Sequence, residues 1–337
     1  MTSKPPTGSF PGLRGLPGVL VLLCFRLPKR LALLGFCRAL GWLPGRRAVV
    51  NLLGSIVGAA QLLRDARRWG YVARFREVLG APGRSAPFVI RFFLEQGRLW
   101  LWTRVYCEAA HALRNYVRAD VSPDDLELLL KGRAMLLGAH YGPELTRFLL
   151  HGLGVETAVL ARDLPPPDRF ARWPRLRTAR GAFFDETRDL RIPVGSEKRL
   201  VKHIGAGGNA LILADFPSRQ PQDPSCDFLG SRRRFHAFPF KLALRHQCPV
   251  FYCFFERAGR SGYVLRVTRA QEFTDPAEGV RRYAEKLAEV VRRDSSPWLY
   301  TSHFASWTGA PDAPALRDSE PPVDGLGGGD PRDRDPA

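Results

Sequence analysis

The feature that most constrains this fold is a rhythm that begins near residue 134. Short runs that are apolar almost throughout, AMLLGA (134–139), VETAVLAR (155–162), NALILAD (209–215) and PVFYCFFER (249–257), alternate with segments of helical period. Strands buried on both faces read as continuous apolar runs, whereas strands with one wet face alternate. Between the runs lie ELTRFLLHGLG (144–154), EKRLVKHIGAGG (197–208) after the short strand LRIPVGS (190–196), and FPFKLALRHQC (238–248). SGYVLRVTRA (261–270) reads as one more strand, and DPAEGVRRYAEKLAEVVRRD (275–294) as a long helix capped by Asp275. Repeated strand–helix units predict an α/β fold with a mainly parallel central sheet flanked by helices. Ligands of such sheets gather beyond the carboxyl ends of the strands. His140 and Asp215 both fall there.

The N-terminal third is different. Residues 1–119 hold 19 Lys/Arg against 4 Asp/Glu, most of the chain's net charge of +18. The same residues are rich in Leu, Val, Phe and Trp. The uncharged run from Leu16 to Phe25 is shorter than the ~20 residues that span a bilayer. AVVNLLGSIVGAAQLL (48–63) is uncharged but carries Asn51, Ser55 and Gln61. Residues 64–80 and 87–116 read as amphipathic helices. Basic and apolar together point to an anionic membrane surface, met from one side by a helical, monotopic region. Nucleic acid is the competing partner for a basic chain, but no stacking motif or known nucleic-acid module appears, so none is expected. The domain reading is therefore a flexible stretch over 1–15, a membrane-associating helical region over 16–119, an α/β core over 120–308, and a disordered acidic tail over 309–337.

Six cysteines are scattered with no C-x-x-C pair, which suggests reduced thiols and no zinc. There is no phosphate-binding loop and no G-x-G-x-x-G after a strand, so neither metal nor nucleotide cofactor is expected.

The stretch GAHYGPELTRF (138–148) carries the candidate chemistry. His140 leaves a strand at a strand-to-helix turn. Gly142 and Pro143 suit the cap and first position of a helix, and Glu144 its first turn. Two readings stand side by side. Glu144 is a carboxylate favoured by the helix dipole, or it orients a neutral His140 that takes a proton from a hydroxyl. Asp215, an acid at a strand end, caps the next turn or serves the site. Arg232, Arg233 and Arg234 read as a solvated loop or as a landing for phosphate or an acidic partner.

The order of these features resembles the bacterial lipid A biosynthesis acyltransferases, within the lysophospholipid acyltransferase superfamily. HYGPE stands where those proteins show His, aromatic, Gly and acid. VLARDLPPPDRF places Arg162 where they show an arginine after a strand. IGAGGNALILADFPSRQP matches their Gly pair and apolar strand ending in Asp. DFLGSRRR matches a Phe-x-Gly element, with Phe228 and Gly230. FPFKLALRHQCPVFYCFFER brings in Arg257, and SSPWLYTSHFASW offers Trp298 after a long helix. The likeness covers about residues 15–307. In this chain three residues, not four, separate His140 from Glu144, and Pro143 replaces an Asn-Trp pair. The resemblance implies acyl transfer from a thioester, acyl carrier protein or acyl-CoA, to a hydroxyl of a lipid A precursor or related glycolipid, at the cytoplasmic side of the inner membrane. It implies His140 as base, Glu144 as its partner, and Arg162, Asp215, Gly142, Arg232 and Arg257 near the substrates. A degenerate lipid-binding homologue of the same fold is the alternative that the altered spacing leaves open.

Overall fold

The computed structural model describes residues 32, 35–40, 43–81, 83–113, 115–142, 145–161, 183, 190–218, 220–259 and 262–302. The expected flexible start, the run 16–25, the acidic tail, Pro143, Glu144, Arg162 and His303 lie outside the described residues.

Among the described residues, a helical stretch over 35–40 precedes α1 (Arg46–Arg64), α2 (Arg67–Val78) and α3 (Ser85–Leu113). They are followed by β1 (Val117–Asp120), α4 (Pro123–Lys131), β2 (Met135–Gly138), α5 (Thr146–Gly152), β3 (Thr157–Ala161), β4 (Arg191–Pro193), α6 (Glu197–Gly205) and β5 (Asn209–Leu213). A hairpin of β6 (Ser225–Phe228) and β7 (Ser231–Arg234) comes next, then α7 (Phe238–Arg245), β8 (Val250–Ala258), β9 (Gly262–Arg269), α8 (Pro276–Arg293) and a 3-10 turn over Leu299–Ser302.

Seven strands form one sheet in the order β1-β9-β8-β2-β5-β3-β4. The pairs β8–β2, β2–β5, β5–β3 and β3–β4 are parallel, and β9 runs antiparallel to β8. The mainly parallel α/β expectation is thus met. Central β2 is buried along its whole length, as its apolar run requires. The caps read from sequence are also in place. The Ser122 side chain accepts from the Asp125 amide with Pro123 at the first helical position, and Asp275 accepts from the Glu278 amide.

Asn209 closes the amino end of the sheet. Its Oδ1 accepts from the Ala134 amide at 2.9 Å, and its Nδ2 donates to the carbonyls of Leu129 (2.9 Å) and Glu156 (3.1 Å). A buried amide with its donors and acceptor engaged costs little to bury and fixes three segments at once.

The charge run Arg232–Arg234 is not a loop: it is strand β7, paired with β6, and Arg233 between the two exposed arginines is buried. The N-terminal helices share the apolar core of the sheet. Val50, Phe75, Leu99, Trp102 and Val105 belong to the same apolar core as Leu136, Leu211 and Phe251 of the sheet.

Candidate active site

The parallel register of β2 and β5 dictates the site. Gly138 pairs with Leu213, so the residues two further on, His140 and Asp215, leave the same end of the sheet side by side. His140 Nδ1 lies 2.8 Å from Asp215 Oδ1, and the His140 amide donates to Asp215 Oδ2 at 2.8 Å. The indole Nε1 of Trp298 donates to the same Oδ2 at 3.0 Å. Asp215 is fully buried, while the His140 side chain keeps 27% of its surface exposed.

This pattern sets the tautomer. With two N–H donors on Oδ2, the carboxylate acts as acceptor, and the ring donates Nδ1–H to Oδ1. The lone pair then sits on Nε2, at the ring edge away from Asp215. A neutral imidazole held this way can act as a general base, its imidazolium stabilised by a buried anion.

The backbone around the histidine is fixed on every side. Tyr283 Oη of α8 donates to the Gly138 carbonyl at 2.7 Å, and the same carbonyl accepts from the Ala214 amide at 2.9 Å. The His140 carbonyl accepts from the Leu299 amide at 2.8 Å, and the Gly142 amide donates to the Pro297 carbonyl at 3.0 Å. Tyr141 bridges Trp298, and its phenol donates to the Asp294 carbonyl. Burial, then Asp294, pushes that phenol well above its ordinary pKa, so it stays a neutral donor. Tyr300 stands edge-on to the His140 ring with centroids 5.1 Å apart, and half-exposed Phe216 stands 5.9 Å from Tyr300. The imidazole thus has a carboxylate on one side and an aromatic wall nearby.

The sequence-derived site residues divide as follows. His140 and Asp215 come together, and the acid that holds Nδ1 is Asp215, 75 residues away. The partner expected from sequence, Glu144, lies outside the described residues, as does Arg162. Gly142 does not cap a helix: α5 begins at Thr146, with Leu145 at the cap position. Nor is the Gly142 amide an open oxyanion donor, since Pro297 takes it. Glycine is needed there for other reasons. Its φ is +77°, and a Cβ would meet Phe255 Cγ at 2.9 Å. Arg232 is on the outer side of the hairpin, donating Nε to Ser225 Oγ at 3.0 Å.

Arg257 is committed to the protein itself. Its guanidinium pairs with Glu95 of α3 at 3.0 Å and with Asp294 at 2.9 Å. Glu95 is buried and also accepts from the Tyr263 phenol. A buried carboxylate needs such partners, because an unpaired one is strongly destabilising. Arg91 reaches Asp294 at 3.2 Å and Gln96 donates to the Ser296 carbonyl at 2.9 Å. Helix α3 therefore grips residues 294–296, the start of the segment that carries Trp298.

Trp298 is the residue whose part the sequence did not reveal. Its fully buried ring packs against Phe75 of α2, Phe228 of β6 and Tyr300, at centroid distances of 5.7, 5.8 and 6.2 Å. Buried indoles generally find an acceptor, so a tryptophan in a core-forming stretch was a signal that a buried acceptor waits nearby.

Among the described residues, no group of His, Cys, Asp and Glu has the arrangement of a metal site. The described cysteines are buried free thiols; Cys37 and Cys226, whose pKa values burial raises to about 11, are poor nucleophiles. No protein-family model matches the chain, and a search of curated proteins finds no match.

Proposed function

We propose that this protein is a membrane-peripheral O-acyltransferase. It moves a fatty acyl chain from a thioester, carried by acyl carrier protein or coenzyme A, to a hydroxyl of a lipid A precursor or related glycolipid. The observation that carries the reading is the His140–Asp215 pair: a partly exposed imidazole, tautomerically fixed, at the carboxyl end of a parallel sheet. His140 Nε2 takes the hydroxyl proton as the oxygen attacks the thioester carbonyl carbon. The tetrahedral intermediate collapses, the C–S bond breaks, and the imidazolium returns its proton to the departing sulfur. Asp215 stabilises the imidazolium between these steps. Donor and acceptor classes rest on the ordered resemblance of motifs. The aromatic pair Phe216 and Tyr300 beside the imidazole suits an apolar chain. Exposed Arg232 and Arg234 suit an acidic carrier or a phosphate.

The lipid setting is supported by α1. Its outward side presents Ala48, Leu52, Ile56, Ala60 and Leu63, with Leu52, Ile56 and Leu63 more than half exposed. No charge falls between 48 and 63, and arginines stand at both ends. Its inward side carries small and polar residues beside core-packed Val50 and Leu53. Gly54 and Gly58 meet Gly97 and the α3 backbone, Asn51 accepts from the Trp102 indole at 2.8 Å, and Ser55 accepts from Arg98 at 2.8 Å. Helices that face lipid pack through small residues and hydrogen bonds and turn their aliphatic side outward. Among the described residues no helix is long and apolar enough to cross a membrane. We place α1 flat on an anionic surface, at the cytoplasmic side of the inner membrane.

The test is direct. Purified protein, vesicles containing a hydroxylated glycolipid acceptor, and acyl carrier protein or coenzyme A thioesters are mixed, and the lipids are read by mass spectrometry. An added acyl ester is expected. No product from either thioester class with any hydroxyl lipid tried, at catalytic protein levels, removes the reading.

A further inference from the structure

We infer that Trp298 is a positioning residue, whose indole N–H orients Asp215 and, through it, sets the tautomer and basicity of His140. The inference rests on the His140–Asp215 pair proposed above as the base. Three donors surround one buried carboxylate, and only two of them belong to the histidine. The third comes from a segment 83 residues away in sequence, so the dyad is incomplete until residues 294–302 dock.

The chemistry of the third donor follows from its place. Trp298 Nε1 and the His140 amide share Oδ2, which leaves Oδ1 for the imidazole and prevents the carboxylate from rotating to present its other oxygen. A hydrogen bond to an anion is stronger when the anion is bare than when it faces an imidazolium. The indole therefore stabilises the state with neutral His140 more than the state with charged His140. Removing it should make the imidazole hold its proton to higher pH. Among the described residues, Tyr300 of the 3-10 turn, Tyr141 and Tyr283 of α8 are titratable groups beside this pair. Tyr283 is fully buried, and burial followed by Asp215 pushes its phenol well up, so it stays neutral across the range where the imidazole titrates. Glu144, four residues along the chain, is a further carboxylate to control for.

The segment is itself clamped from the N-terminal helices. Phe75 of α2 packs on the indole, and Arg91, Glu95 through Arg257, and Gln96 of α3 hold residues 294–296. Helix α3, which packs along the stripe-bearing α1, thus also holds the segment of the tryptophan that orients the acid.

The experiment is a titration of the His140 ring by NMR in the full chain, in wild type, Trp298→Phe, Phe75→Leu and Glu144→Gln. Trp298→Phe keeps an aromatic ring but loses the N–H; Phe75→Leu disturbs the packing of the indole but keeps its N–H. The midpoint of His140 is expected to move up by about half a pH unit or more in Trp298→Phe and to stay within about 0.2 units of wild type in Phe75→Leu and Glu144→Gln. No movement in Trp298→Phe, or an equal movement in Phe75→Leu, overturns the inference. A movement in Glu144→Gln as large as that in Trp298→Phe also overturns it, because the acid felt by the ring is then Glu144. Should Trp298→Phe fail to fold, the wild-type indole N–H resonance decides: it must titrate with the His140 midpoint, and an indole signal flat through that midpoint refutes the coupling. None of these readouts involves acyl transfer. A shifted midpoint in a protein without transferase activity would uphold the positioning role and remove the proposed function; activity with no shift would do the reverse.

Discussion

Two regions of this molecule bury polar groups, in opposite ways. At the carboxyl end of the sheet, Asp215 is sealed inside and met by three N–H donors, with an imidazole reaching from it toward solvent. In the α1–α3 pair, Asn51 and Ser55 turn inward to Trp102 and Arg98 while Leu52, Ile56 and Leu63 turn out. Both obey the rule that a buried polar group must be paired. They differ in what the pairing serves. The first arrangement holds one side chain in one protonation geometry. The second leaves the aliphatic side of a helix facing outward. The same chain thus treats apolar surface as interior in the sheet and as an outer face in α1.

The comparison breaks most sharply at His140. His140→Ala should lower acyl transfer by roughly 10²–10⁴-fold, with a melting temperature close to wild type, since the ring is partly exposed; turnover and melting curves check both halves. In the helix pair the largest effect should come from the inward side. A Cβ on Gly97 would lie 2.6 Å from Gly58 Cα, and backbone cannot yield as a side chain can. Gly97→Val should therefore destabilise by about 3 kcal/mol, read by chemical denaturation. The paired change Leu52→Glu and Ile56→Glu should leave stability within about 0.5 kcal/mol but weaken sedimentation with anionic vesicles by about tenfold or more. A stability loss as large as that of Gly97→Val would mean that the stripe is covered by protein.

The smallest effect concerns pH. Burial raises the phenols of Tyr106 and Tyr252 to about 12 and those of Tyr141, Tyr263 and Tyr283 well above their ordinary range. These groups are raised in the folded state, so their contribution is complete below the unfolded value of 10 and is lost as pH rises toward 12. Melting temperature should begin to fall near pH 9, where the raised thiols of Cys37 and Cys226 start to lose their contribution, and fall more steeply above pH 10, with no matching fall between pH 7 and 8.

The central strands were legible because burial on both faces writes itself as an unbroken apolar run, as in residues 135–138 and 210–213. Ser122 and Asp275 were legible because capping is local chemistry. β1 was not, because VRAD is a short edge strand whose charges face water and whose pairing with β9 is set by residues 146 positions away. The hairpin β6–β7 was hidden for a similar reason: three consecutive arginines look like a loop unless the antiparallel partner is known. The acid of the dyad shows the limit most clearly. Sequence proximity favours Glu144, whereas the described contact of the ring is with Asp215, brought there by the offset of 75 that relates every β2–β5 pair. That offset exists only once the strands are paired. What sequence did contain was the matching sign, a histidine and an aspartate each two residues past an apolar strand. The α1 polarity was half legible: the uncharged run was visible, but which side faces α3 depends on Gly54, Gly58 and Gly97 meeting across two helices.

Which carboxylate serves His140 is decided by one paired measurement. Asp215→Asn and Glu144→Gln are assayed side by side for acyl transfer from a thioester to a lipid hydroxyl. An amide at 215 can no longer favour the Nδ1–H tautomer as the anion does, so turnover should fall on the order of 10³-fold, while Glu144→Gln should stay within about tenfold of wild type. Full activity in Asp215→Asn, or a loss confined to Glu144→Gln, would contradict the dyad.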